Sequence, residues 1–230
     1  MNNPTKANSL YIILSGVFIA SLVSSNLIFQ KFFQLDIWIP FIGKYTFEQS
    51  VGLLPYPITF LVTDIISEIY GKNKANQVVI SGLIASLFMV IVILISDNVQ
   101  ATAWSPVSGD MFHSVFGLSA AAVFASMMAY LFAQHIDIRI FHFWKKLTRG
   151  KHLWLRNNTS TIFSQFIDTF VVLFLLCSLD VIDWSRFSTL LMNGFLFKVF
   201  FAAFDTPIVY LCVWYLRRKF DLKFGEEIIN

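Results

Sequence analysis

Two carboxylates stand four residues apart in a run of sequence that is otherwise hydrocarbon: Asp64 and Glu68 in YPITFLVTDIISEIYGKNKA, residues 56–75. On a helix that spacing stacks them on one face, one turn above the other. A carboxylate at membrane depth costs about 2.5 kcal/mol or more, so both are expected to face a protein interior or a wet cavity. Adjacent carboxylates repel, and one holds a proton at neutral pH unless a cation or donor lies between them. The pair therefore suits a ligand or proton site. Asp168 poses the same problem more sharply. About ten mostly apolar residues follow it and the ten before it carry no charge, too long a stretch for a short side chain to snorkel past. It is expected either to bind a ligand or to form an internal ion pair with Lys198. Asn26, Gln134, Asp137 and Gln165 fall in or at the edges of neighbouring apolar runs. With Asp64, Glu68, His135, Arg139, Asp168, Asn193, Lys198 and Asp205 they are expected to line one polar chamber.

Plainer readings stand beside that one. Asp137 and Arg139 sit where charge is cheap if the helix end reaches the interface. Lys198 and Asp205 are seven apart, on one helical face, and neutralise each other in the bland reading. His135 is more in keeping with a hydrogen-bonded packing residue than with a ligand. Cys177 and Cys212 both lie in apolar runs, so the sequence predicts buried packing thiols, with no disulfide and no metal site.

The elements that must position these residues follow from composition. Of 230 residues, 57% are hydrophobic and 13% charged, against about 25% charged in an ordinary soluble domain. Long apolar runs separated by short polar breaks define an all-α integral membrane protein. The expected bundle has six transmembrane helices, at about 10–29, 51–70, 75–96, 117–144, 158–179 and 187–216, forming one domain over 1–230. The first run is too long for a secretory signal and is kept as a span. Its Gly16 and Ala20, four apart, form a small-residue pair suited to close helix contact. Pro55 and Pro57 are expected to bend or loosen the start of the second span. The aromatic stretch 31–50 reads as a loop that either lies along the interface or folds back toward a pocket.

Six spans place both termini on one side. Lysine and arginine number 1, 2, 5 and 4 in the N-terminus, second loop, fourth loop and C-terminal tail, against 2, 0 and 1 in the other loops. The positive-inside rule then puts both termini in the cytoplasm. The net charge of +3 is gathered beside spans and does not point to nucleic acid. There is no G-x-x-x-x-G-K-[ST], H-E-x-x-H or G-x-S-x-G, so the parts of a P-loop ATPase, a zinc protease or a serine hydrolase are missing. Charges inside spans with almost no extramembrane mass point to a transporter, not an enzyme, with no cofactor.

YPITFLVTDIISEIYGKNKA, preceded by Ser24-Ser25-Asn26, resembles the queuosine precursor transporters, a branch of the vitamin-uptake-transporter group. AQHIDIRIFHFW (133–144), NNTSTIFSQFIDTF (157–170) and FLFKVFFAAFDTPIVY (195–210) continue the resemblance in order. It implies six helices in a bacterial inner membrane and import of 7-deazaguanine bases such as preQ0 and preQ1, or of queuine. The bilayer and the small-molecule base are then the partners, with no nucleic acid, and a homodimer stays open. Asp64, Glu68, Asp137, Asp168 and Lys198 lie in the matching pieces and become pocket candidates. Such a base offers adjacent N–H donors, a carbonyl and a flat ring. A buried carboxylate takes the donors, a lysine or side-chain amide serves the carbonyl, and phenylalanine supplies stacking faces. The alternative is the substrate-binding S-component of an energy-coupling-factor vitamin importer, which relies on a separate ATPase. A membrane protein whose charges only hold its helices together is the third possibility.

Overall fold

Helix-length apolar runs become helices. The computed structural model describes residues 4–40, 43–147, 153–223 and 226–228; the side chains of Gln134, His135, Asp137 and residues 153–161 are among those outside that description. In chain order the elements are α1 (Pro4–Ile28), β1 (Phe32–Ile39), β2 (Gly43–Ser50), α2 (Tyr56–Tyr70), α3 (Lys72–Asn98), α4 (Gly109–Phe116), α5 (Ser119–Leu147), α6 (Leu153–Ser178) and α7 (Phe187–Phe220). Single 3₁₀ turns, Val51–Leu53 and Trp184–Arg186, precede α2 and α7. The molecule is an α-helical membrane protein. Among the described residues five helical segments are long and apolar enough to cross a bilayer: Thr5–Ile28, Val51–Tyr70, Lys72–Asn98, Gly109–Ala133 and Trp184–Phe220. The fifth expected span, 158–179, lies within α6, whose described apolar part is the shorter Ile162–Ser178.

Two expectations need correction, and one is met in part. The stretch 31–50 is not a loop but a two-stranded hairpin, β1–β2. The start of the 51–70 span is loosened, as its prolines lead one to expect: it opens on the 3₁₀ turn Val51–Leu53, and the α-helix begins only after Pro55, with Pro57 in its first turn. There a missing N–H costs nothing, because the first helical N–H groups have no intrahelical acceptor. The Gly16–Ala20 pair makes no close helix contact within the chain, since a Cβ on Gly16 would meet nothing within 4 Å.

The chain divides into two units, the first comprising Met1–Lys31, Ser50–Gly109 and Phe200–Asn230. Here α1, α2 and α3 pack on one another. Ile66 and Ile69 are fully buried, with Phe18, Val62, Ile65, Val78, Leu216 and Phe220 around them. Lipid tails are as apolar as isoleucine, so this core holds by close packing more than by escape from water. At the C-terminal end of α2 the two ends of the chain converge. Tyr70 donates its hydroxyl to the Ala7 carbonyl at 2.7 Å, and the Ile228 amide donates to the Ile69 carbonyl at 2.8 Å. Gly71 joins α2 to α3 with φ of +85°, in the region that favours glycine. A Cβ there would also collide with the Glu227 carboxylate, whose negative charge is well placed at the start of α3.

The second unit comprises Phe32–Gln49 and Asp110–Val199. In it α5 lies along α6. Ala122, Ala125, Ala129 and Ala133 are buried at three- and four-residue spacing, so α5 presents a stripe of small side chains that lets helix backbones approach. The hairpin has two faces, as the period of two requires. Asp36 on β1 pairs with Lys44 at 2.9 Å and accepts from Thr46 Oγ1 at 2.8 Å, all exposed. Tyr45, Phe47 and Gln49 alternate on the less exposed face of β2. α7 gives its first residues, through Val199, to this unit and the rest to the first.

Candidate functional site

The second unit holds a polar column between hydrophobic helices. α6 places Gln165, Asp168 and Thr169 at i, i+3 and i+4, hence on one face. α7 places Gly194 and Lys198 four apart on one face, with Asn193 beside them. The Lys198 ammonium donates to Asp168 Oδ2, and their side chains are 5% and 13% exposed. This is the internal pair that the sequence left as one of two outcomes for Asp168. Two charges taken out of water are held only if attraction and added hydrogen bonds repay the desolvation. Both residues make further polar interactions. One turn before Asp168, the side-chain amide oxygen of Gln165, Oε1, is a buried acceptor with no hydrogen-bond donor among the described residues. An orphan acceptor of this kind costs about 1–3 kcal/mol, which a bound molecule carrying N–H groups would recover.

The hairpin closes over the first turns of α7. Asn193 is fully buried; its amide donates to the Glu48 carbonyl at 2.8 Å and its Oδ1 accepts from the Tyr45 hydroxyl. Arg186 Nη1 pairs with Glu48 at 3.1 Å near the surface. Gln49, 5% exposed, donates from Nε2 to the Leu190 carbonyl at 3.2 Å. Phe47 lies against Phe197 with ring centroids 6.4 Å apart. Phe166, Phe170 and Phe174 follow one another at four-residue intervals along α6 and remain at least 37% exposed. They clothe the outside of the unit.

The first unit treats its acids differently. Asn26 is buried at the end of α1. Asp64 and Glu68 share one face of α2, as the spacing predicts, but it is the exposed face, opposite Val62, Ile65, Ile66 and Ile69. Glu68 accepts from Arg217 Nη2 at 2.6 Å and is half exposed. Its partner is the basic end of α7, not Asp64. Of the residues expected to line one chamber, Asn26, Asp64 and Glu68 belong to the first unit and Gln165, Asp168 and Lys198 to the second. The side chains of Gln134 and Asp137 lie outside the described residues. Among the described residues no cluster of three His, Cys, Asp or Glu side chains suits a metal ion. Cys177 and Cys212 are free thiols, the first fully buried.

Sequence reasoning missed Gln49 and gave Tyr45 no role beyond its aromatic character. A signal was present: KYTFEQS alternates with period two, the mark of a strand with two unlike faces. Its polar composition hid the inward face.

The structure is that of an α-helical membrane protein with a buried acid–base pair beside a buried side-chain amide oxygen. The chain belongs to the family described as "Putative vitamin uptake transporter", whose profile matches residues 50–212. A "Probable queuosine precursor transporter" of Bacillus subtilis is 28% identical over 53% of this chain and 53% of its own length. A protein of the same description from Haemophilus influenzae is 28% identical over 69% of this chain and 66% of its own. The chain thus spans about half and about two thirds of these relatives. No solved structure gives a significant match.

Proposed function

We propose that the chain imports queuosine precursors, 7-deazaguanine bases such as preQ0 and preQ1 or queuine, across a bacterial inner membrane without chemical change. The observation that carries the site is the buried Asp168–Lys198 pair with the orphan Gln165 oxygen one turn away. The relatives' names supply the ligand class. A carboxylate next to an ammonium is complementary to a lactam edge: Asp168 accepts from the ring N–H and exocyclic amine, while Lys198 donates to the ring carbonyl. Gln165 takes a remaining N–H. An adenine-like edge replaces the ring N–H with an acceptor and sets lone pair against lone pair, so at least tenfold weaker binding follows from about 1.4 kcal/mol.

The full reading has six spans, with α6 as the fifth and α7 as the sixth, and both termini cytoplasmic. The meeting of Ala7 and Ile228 at the same end of α2 supports the even number of crossings. The lysine and arginine bias supports the orientation. Asn26, Asp64 and Glu68, with Gln134 and Asp137, remain candidates for the path of the base.

The test is accumulation of labelled 7-cyano-7-deazaguanine by cells that lack their own uptake and express this chain alone. Uptake is expected, and Asp168→Asn abolishes it. Binding without uptake, unless a separate ATPase is supplied, would establish the S-component reading instead. Tight binding of an anionic vitamin such as biotin would refute the pocket.

A further inference from the structure

We infer that the β1–β2 hairpin is the gate of the site: it lifts off the first turns of α7 to admit the base and closes again beside the Asp168–Lys198 pair. The inference rests on the reading of that pair given above and deepens it by naming the element that controls entry. The two charged side chains are 5% and 13% exposed, so a flat ring reaches them only if part of the second unit moves. β2 is laid against the neighbours of both. A Cβ on Gly194 would fall 2.8 Å from Gln49 Nε2 and 3.1 Å from the Thr169 methyl group. Thr169 follows Asp168 on α6, and Gly194 precedes Lys198 by one turn of α7, a rise of about 6 Å. Phe47 stacks on Phe197, the residue before Lys198. β2 thus rests on the α7 turns that lead to the pair, toward Arg186 and away from the basic end at Arg217–Lys219. In the orientation read above, that is the outer side.

The hairpin is held in a way that lets it move as one piece. Its strands leave from a closed neck, where the Val51 amide donates to the Lys31 carbonyl at 2.7 Å and Ser50 Oγ donates to the Phe29 carbonyl at 2.5 Å. The neck itself is pressed on α1, since a Cβ on Gly52 would fall 2.5 Å from the Ser25 carbonyl oxygen. Beyond it, every described bond from the hairpin to α7 or its leading turn involves a side chain. Glu48 pairs with Arg186 at the surface, Asn193 bonds the Glu48 carbonyl and the Tyr45 hydroxyl, and Gln49 donates to the Leu190 carbonyl. Water can replace each of these bonds as the hairpin lifts. α5, by contrast, lies along α6 and carries a buried alanine stripe, and close-packed helices do not part so readily. Elements held by few exchangeable contacts open first, and an element that closes over a polar site keeps its bonds out of competition with water.

The test joins the hairpin to α7 and asks when the base can pass. In the purified full-length chain, with Cys177 and Cys212 replaced by alanine, Gln49→Cys is combined with Gly194→Cys. A Cβ at residue 194 lies 3.8 Å from the Gln49 amide carbon, so oxidation or a single mercuric ion should bridge the two thiols. Labelled 7-cyano-7-deazaguanine is added either before or after bridging. Base added first should be retained on washing at least tenfold longer than in the unbridged protein. Base added afterwards should bind at least tenfold more slowly, and dithiothreitol should reverse both effects. Exchange at the unbridged rate overturns the inference while the site stands. So does poor retention in both orders, which would mean that the bridge only distorts the site.

Arg186→Gln gives an answer even where the cysteine pair fails to fold or to bridge. It removes only the surface bond to Glu48, so association and dissociation of the base should both quicken by about two- to fivefold, with Kd changed less than twofold. Unchanged rates would overturn the gate. If the unaltered protein does not bind 7-cyano-7-deazaguanine at all, the reading of the Asp168–Lys198 site is itself overturned.

Discussion

Asp168 and Glu68 are both acids in membrane helices, each bonded to a cation from α7, and they are held in opposite ways. Asp168 is nearly buried with a nearly buried lysine. Glu68 is half exposed, in the last turn of its helix, against an arginine of the basic end of α7. The first pair lies deep in a polar column that contains an orphan acceptor and a strand-borne amide. The second ties the last turn of α2 to the end of α7 next to the tail, since Arg217 also donates to the Lys223 carbonyl at 2.6 Å. Depth and surroundings, not residue type, separate a site from a clasp. Two buried partners are expensive to separate, whereas in the second pair Arg217 is 12% exposed but Glu68 is half in solvent, where screening lowers what the pair contributes.

The largest effect is therefore expected at Asp168. Asp168→Asn leaves the lysine charge buried without its partner and should cost about 3–5 kcal/mol of stability and all uptake. Asp168→Asn combined with Lys198→Met removes the stranded charge, so most of the stability returns while uptake stays lost. Thermal unfolding and transport of labelled base measure the two separately. Recovery of both would show that the pair is only a clasp, and the contrast with Glu68 would collapse.

Orientation sharpens the comparison, because the Glu68–Arg217 pair should lie at the cytoplasmic water boundary. With Cys177 and Cys212 replaced, a cysteine introduced by Ser108→Cys should react with an impermeant thiol reagent in intact cells. One introduced by Lys219→Cys should react only after lysis. The reverse pattern would place the Glu68 end outside.

Glu68→Gln should cost roughly 0–1 kcal/mol and leave affinity for the base within twofold by calorimetry. A tenfold loss of affinity would place Glu68 in the binding site itself and not only along the path of the base.

Most of the helices were legible from hydropathy alone, because a run of apolar residues has one economical outcome in a bilayer. The spacing of Asp64 and Glu68 also gave the correct shared face. It could not say which way that face turns, since an apolar membrane helix has no wet side to declare itself and Ile66 and Ile69 differ little in type from exposed neighbours such as Ile58. The Asp168–Lys198 pair was legible as one of two outcomes because a short acid deep in a span needs a partner. The hairpin was not: in the segment 31–50 the aromatic residues read as interface, and the strand that delivers Gln49 carries mostly polar side chains. Asn193 looked like one polar residue among several until the hairpin supplied what it bonds.

The smallest effect concerns that hairpin. Lys44 first, and then Thr46, hold the Asp36 carboxyl below its ordinary value. A lowered value means that the contribution is present above the ordinary range near pH 4 and is lost as pH falls through the lower value in the folded hairpin. Asp36→Asn should remove this contribution at neutral pH and abolish its decline on acidification. Thermal midpoints of the two proteins at pH 7 and pH 3 should converge at the lower pH, and a constant gap would remove the hairpin pair from the account.

The tail that rests on Gly71 bears on the order in which the protein is made. Ile228 docks on Ile69, and Glu227 fills the space that a side chain at residue 71 would occupy. The ribosome delivers α2 and α3 early, then all of 110–199, and only afterwards the strand of chain that completes the first unit. That unit must wait in the translocon's company, half-assembled, while its later-born neighbour already has every residue it needs. A stalled chain that has not yet released residues 222–228 should hold a finished Asp168–Lys198 pair while the joint at Gly71 is still open, and limited proteolysis should find the α2–α3 connection first.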